Sequence, residues 1–234
     1  MKNERGQATT AAMILLPVVL VIVTTLVILG FAFIFEAKAT AKCRASLGQS
    51  QTDAREALEK LLALNPKAEK LEQLRQAAIL NEEISLASGN SVAAAAAQIA
   101  RQAIEKLQIP VMTAQRRWLA QGKAHSLAAA DRAEASIIAT LPAVLMSQAS
   151  TANLTRARFD VIASPPSART PTYRTAPGFE KSQRAEVRWL LTLPEEANQD
   201  GLNPAINIGC AITLTNEGAD KWSPQILEDK LLPN

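Results

Sequence analysis

Residues 13–35 read MILLPVVLVIVTTLVILGFAFIF, and the class of the whole chain turns on them. Their only polar side chains are Thr24 and Thr25. At 1.5 Å per residue a helix of this length spans roughly 35 Å, enough to cross a hydrocarbon core of about 30 Å with some tilt. Lipid offers the backbone no hydrogen-bond partner, so a spanning segment must be helical. Pro17 costs little if it falls in the first turns and kinks the helix if those turns begin further upstream. The other reading is a cleaved secretory signal, since Ala37-Lys38-Ala39 and Ala39-Thr40-Ala41 offer small residues at cleavage-like spacing. A signal's apolar region runs about 7–15 residues, and this one is too long. A single-pass anchor is therefore expected.

The charges agree with that reading. The chain of 234 residues carries 25 Lys+Arg and 22 Asp+Glu, yet none lies between Arg5 and Glu36. Elsewhere the two signs are interspersed, so the net charge of +3 is a small excess and not a basic field. A nucleic-acid partner, which calls for clustered Lys and Arg, is not expected. Orientation is not decided by the flanks, because Lys2 and Arg5 precede the segment while Lys38, Lys42 and Arg44 follow it. The two cysteines, Cys43 and Cys210, bear on it. In a reducing compartment they would be separate buried thiols; in an oxidising one they would form a disulfide. The disulfide is the reading carried forward, with the C-terminal portion outside the cytoplasm. If the helix runs on from Phe35 to Cys43, the bond would tie the end of the chain to it about 12 Å beyond the bilayer.

Beyond the apolar segment, residues 36–150 hold 29 alanines against three prolines and three glycines, a strongly helix-forming composition. Asn65-Pro66 predicts an N-cap and first turn. Leu71, Leu74, Ala78 and Ile79/Leu80 recur at helical steps until Ser88-Gly89-Asn90 ends the element. Ser91 can cap a third helix that stops before Ile109-Pro110. A fourth pattern runs from Val111 to about Met146, with interruptions at Gly122 and Leu141-Pro142. The expected product is a long stem with antiparallel helices packed on it. Residues 151–234 read as β-rich. Residues 156–163 (RARFDVIA), 185–193 (AEVRWLLTL) and 206–215 (INIGCAITLT) predict three strands. Residues 164–178, with four prolines, predict a loop, and Asp200-Gly201-Leu202-Asn203 a turn. The fold class is thus α+β: one N-terminal transmembrane helix continuing into an alanine-rich helical stem or bundle, then a small antiparallel sheet of about three strands resting on the helices.

Little in the sequence can carry catalysis. His125 is the only histidine, and a lone helical histidine reads as exposed or satisfied. No metal constellation can be assembled, no nucleophile elbow or phosphate loop occurs, and no cofactor or small-molecule substrate is expected. The adjacent pairs Glu82-Glu83 and Glu195-Glu196 read as solvated surface, because sequence neighbours do not face one another on a helix. Asn153-Leu154-Thr155 matches a glycosylation acceptor, a motif frequent by chance. In Arg116-Arg117-Trp118 the ring reads as a core anchor in preference to a stacking platform.

The most specific feature is the junction Glu4-Arg5-Gly6-Gln7-Ala8, a short charged leader ending in glycine with the apolar helix directly after it. It resembles a class III leader, and most closely the TadE-like minor pilins, or pseudopilins, of the tight-adherence pilus. Counting Gln7 as the first mature residue places Leu16-Pro17 at the tenth and eleventh positions, where that family carries Leu-Pro. The resemblance covers about residues 4–36. It implies that a prepilin peptidase removes residues 1–6 between Gly6 and Gln7 on the cytoplasmic face. It also implies that residues 7–35 form an assembly helix among other pilin subunits, with a pilin-like, periplasmic body closed by a disulfide, in the bacterial inner membrane or carried into a filament. One position departs. Ala11 stands where the family has the glutamate thought to neutralise a neighbouring subunit's N-terminal amine, which predicts a tip or initiating position, a chain that stays uncut, or a role in the inner-membrane assembly platform. A second expectation, of a different class, is an unprocessed signal-anchored sensor or scaffold. A membrane-tethered enzyme has no residue constellation behind it.

Overall fold

The computed structural model describes residues 4–141, 149–192, 205–218 and 221–227. A first helix, α1 (Glu4–Ala63), runs unbroken for 60 residues, about 90 Å. After Leu64 the chain continues as α2 (Asn65–Ala87), turns at Ser88–Asn90, and returns as α3 (Ser91–Ile138). The return is antiparallel: Arg101 of α3 meets Glu82 of α2, Gln108 meets Glu72, and His125 meets Asp53 of α1. The expected stem with an antiparallel partner is therefore present. The buried positions explain it. On α1, Ala39, Cys43, Leu47, Gln51, Ala54, Leu58 and Leu61 recur at steps of three and four, and on α3 Val111, Gln115, Gly122, Ser126, Ala129, Ala133 and Ile137 follow the same period with one step of seven.

Several helix boundaries differ from expectation. Asn65 does not cap α2; Leu64 occupies that place without a side-chain bond. The Asn65 amide instead donates to the Tyr173 carbonyl (2.7 Å) and accepts from the Tyr173 amide (2.8 Å). Asn90, not Ser91, caps α3, its side chain accepting from the Ala93 amide at 3.0 Å. Finally, α3 passes through Pro110 and Gly122. A helix-interior proline costs about 3 kcal/mol. Contacts on both sides of it offset that cost: Val111 packs with Ala68 and Leu71 of α2, while Gln108 reaches Glu72 and Thr170. Gly122 is no interruption because the Phe159 ring lies directly over it; a Cβ there would meet ring carbons at 2.6 and 2.7 Å. The fourth pattern, expected to reach Met146, ends at Ile138; residues 142–148, including Pro142, lie outside the described residues.

The C-terminal region holds more strands than three. β1 (Ala149–Thr155), β4 (Ala185–Thr192), β5 (Ala205–Gly218) and β6 (Lys221–Ile226) form an antiparallel sheet in the order β1-β4-β5-β6. β2 (Val161–Ser164) and β3 (Thr172–Thr175) form a separate two-stranded ribbon, and α4 (Phe179–Ser182) is a single turn. The strand expected over 156–163 is thus split: Arg156–Asp160 is irregular and only its end pairs, as β2. The proline-rich loop contains β3, because prolines 165, 166, 171 and 177 flank the four paired residues and leave their amides free to bond. The expected turn at 200–203 and the pair Glu195-Glu196 lie outside the described residues.

The sheet rests on α1 between residues 39 and 62 and also touches α3, where Thr151 of β1 donates to Glu134. One core cluster joins Ala39, Cys43 and Leu47 of α1 to Ala129, Ala130, Ala133 and Ile137 of α3 and to Val187, Trp189, Ile208 and Ile212 of the sheet. A second joins Ala54, Leu58 and Leu61 to Phe159, Phe179, Leu214 and Trp222, with edge-to-face ring contacts at 6.0 and 5.0 Å. Trp118 packs half-buried against this second cluster.

Candidate functional site

Upstream of the body, α1 carries the candidate site. From Leu15 to Ile34, fourteen large apolar side chains are exposed, among them Leu16 at 66%, Ile22 at 53% and Phe31 at 74%. Consecutive positions 18–23 are all on this roster, so every face of the helix is apolar and none is covered. A helix hydrophobic all round belongs in a core or in a membrane. The magnitude decides how to read it. Burying one such side chain gains roughly 1.5–3 kcal/mol, so fourteen left in water forgo tens of kcal/mol, more than the 5–15 kcal/mol that holds a domain together. This is the one helix among the described residues that is long and apolar enough to cross a membrane.

Its few polar groups are satisfied internally. Thr24 donates to the Leu20 and Val21 carbonyls (both 2.9 Å), and Thr25 to Val21 (2.7 Å). This back-bonding removes the cost of placing hydroxyls in hydrocarbon, and the periodicity of the sequence does not announce it. Pro17 lies well inside α1, which begins at Glu4, so it leaves the carbonyl four residues earlier without a helical donor. Gly6, Gln7 and Ala11 all fall within the helical backbone of α1 upstream of the exposed stretch.

At the other end the segment is tied to the body. Cys43 and Cys210 are disulfide-bonded, with Cα atoms 6.1 Å apart and 167 residues between them in sequence. Cys43 is fully buried and Cys210 nearly so, so the bond joins α1 to the central strand β5 inside the first core cluster. Buried glutamines add further ties between helices and loops. Gln51 donates to the Gln183 carbonyl (2.9 Å), Gln183 to the Arg158 carbonyl (2.9 Å), and Gln115 to the Pro171 carbonyl (2.8 Å). Glu72, buried beside Gln108, is held below the ordinary carboxylate range by hydrogen bonds from Arg75, against the opposing effect of burial. Unlike the two cysteines, Gln51, Gln115, Gln183 and Glu72 are not marked in the sequence, because a polar side chain carries no local signal of its burial.

One further cleft, about 240 Å³, opens between α1 and α3 beside His125, Asp53, Lys60 and Trp118. His125 Nδ1 stands 3.6 Å from Asp53 Oδ2, beyond hydrogen-bond reach. Lys60 Nζ sits 4.5 Å above the Trp118 ring and pairs with Glu56, so the aromatic face is already covered. The arrangement is a cation–π clasp between two helices. Among the described residues no group of three or more His, Cys, Asp or Glu could hold a metal. No protein-family model, curated protein or solved structure matches the chain.

Proposed function

We propose that this chain is a non-enzymatic, single-pass membrane subunit of a Tad-like pilus or related secretion assembly, with its N-terminus cytoplasmic and its body periplasmic. The observation that carries the reading is the all-round apolar exposure of α1 between Leu15 and Ile34, directly continuous with a disulfide-tied body. Such a segment needs partners on every face, and lipid together with other apolar helices supplies them. The leader Arg5-Gly6-Gln7-Ala8 and the placement of Leu16-Pro17 support its assignment to the TadE-like minor pilins, with a prepilin peptidase cutting after Gly6 and the helix from Gln7 onward associating laterally with other subunits. Coexpression with a prepilin peptidase followed by N-terminal sequencing tests this: a new terminus at Gln7 is expected, and an intact Met1 or a cut near Ala39 defeats it.

Ala11 favours a second reading, a signal-anchored periplasmic scaffold or sensor that is never processed. Without a carboxylate at that place, nothing in the apolar segment would pair with a neighbour's amine. That reading expects an intact Gly6-Gln7 bond and indifference to substitution there.

A further inference from the structure

Where α1 leaves its apolar segment, the charges divide between two sides of the helix. Ala39 and Cys43 are fully buried toward α3 and the sheet. Lys38 and Lys42 are exposed, and four residues of spacing sets them only about 40° apart round the axis. Phe31, the most exposed aromatic of the apolar stretch at 74%, lies about 20° from Lys38 on the same side. Glu36, the nearest carboxylate in sequence, is turned about 160° from Lys38 and about 120° from Lys42. Among the described residues neither lysine pairs with a carboxylate.

Distance along the axis matches this division. Lys38 lies about 4–5 Å and Lys42 about 10 Å beyond Phe35. A headgroup layer is roughly 5–7 Å deep on each side of the hydrocarbon. Long lysine stems can lie along the apolar surface while the ammonium groups stay among phosphates and water. From this placement we infer that Lys38 and Lys42 form a docking surface for anionic phospholipid headgroups, on the leaflet from which the body emerges. The inference rests on the membrane-anchor reading above. It gives α1 a polar stop on one face while the opposite face begins its contact with the body.

Flotation of the purified, disulfide-intact full chain tests it, using vesicles of phosphatidylcholine alone and of phosphatidylcholine mixed with phosphatidylglycerol. Each lysine near an anionic surface is worth about fivefold in partitioning, so Lys38→Gln/Lys42→Gln should lose on the order of 25-fold of the preference for the mixed vesicles. Lys38→Arg/Lys42→Arg should retain it, and added salt should erode it. The melting temperature of the body should not change in either variant. Equal preference in the wild type and the glutamine variant, with both still floating on phosphatidylcholine, overturns the headgroup inference and leaves the anchor reading standing. Failure of the wild type to float with either vesicle removes the anchor reading, and this inference with it.

Discussion

Along α1 the chain displays apolar side chains in two different ways. Between Leu15 and Ile34 they occupy every face and nothing covers them; between Ala39 and Leu62 they form a stripe with polar residues such as Lys42, Gln49 and Glu56 on the other side. The helix is continuous across both halves, so backbone propensity does not separate them. What separates them is the shape of the partner. A protein layer covers one or two sides of a helix and needs a stripe, whereas a lipid-like surrounding touches all sides and needs a full cylinder. The first half is apolar on every side, as a spanning helix would be, and the second carries the imprint of α3 and the sheet.

Truncating matched leucines in the two halves should break the symmetry most sharply. Leu58→Ala, at a fully buried site, should destabilise the body by about 2–5 kcal/mol in denaturant unfolding. Leu20→Ala, at a site 56% exposed, should stay within about 0.5 kcal/mol in the same measurement. A comparable loss at Leu20 would mean that the first half belongs to the soluble fold. The converse substitution is Val21→Arg. It should leave the body's melting curve alone but cost about 2.5–3.5 kcal/mol at the centre of a spanning helix, lowering membrane recovery on the order of 100-fold. Undiminished recovery in the membrane fraction would show that this half does not face lipid.

A smaller effect is expected where the second half meets its layer through glycine. Gly122→Ala pushes a methyl group into the Phe159 ring, and should cost on the order of 1–3 kcal/mol despite alanine's better helix propensity. A rise in melting temperature would mean the ring moves aside freely. The smallest effect is an acid one at the distal end, where α2 and α3 meet. Because Arg75 lowers the Glu72 carboxyl below its unfolded value, the pair stabilises the fold above the ordinary carboxylate pKa and loses that contribution as pH falls through the lowered value. Glu72→Gln should therefore flatten the acid limb of stability between neutral pH and the acid-unfolded state. An unchanged slope would place the acid sensitivity elsewhere.

Much of the architecture was readable because it rests on composition and period. The apolar cylinder, the alanine-rich helices, the stop at Ser88-Gly89-Asn90 and the central strands β4 and β5 all follow from local pattern. Three of the misplacements share one cause, a local signal overridden by a distant contact. Pro110 looks like a helix end until Val111 and Gln108 are seen packed against α2. Gly122 looks like a break until Phe159 is laid over it. Asn65 looks like a cap, yet its amide is taken by the backbone of Tyr173, 108 residues away. The ribbon β2–β3 was hidden because four residues between prolines fall below any periodicity test.

Local pattern alone makes residues 13–35 a segment long and apolar enough to span a membrane, follows it with a helical region, and closes the chain with a sheet. These properties depend on transfer free energy and on repeats a few residues long, both of which are local. It took tertiary packing to make α3 one helix, to lay the sheet against α1 and α3 together, and to bring Cys43 and Cys210 together within the core that all three share. Those outcomes depend on which surfaces fit together across more than a hundred residues, and close packing of that kind leaves no periodic trace in the chain.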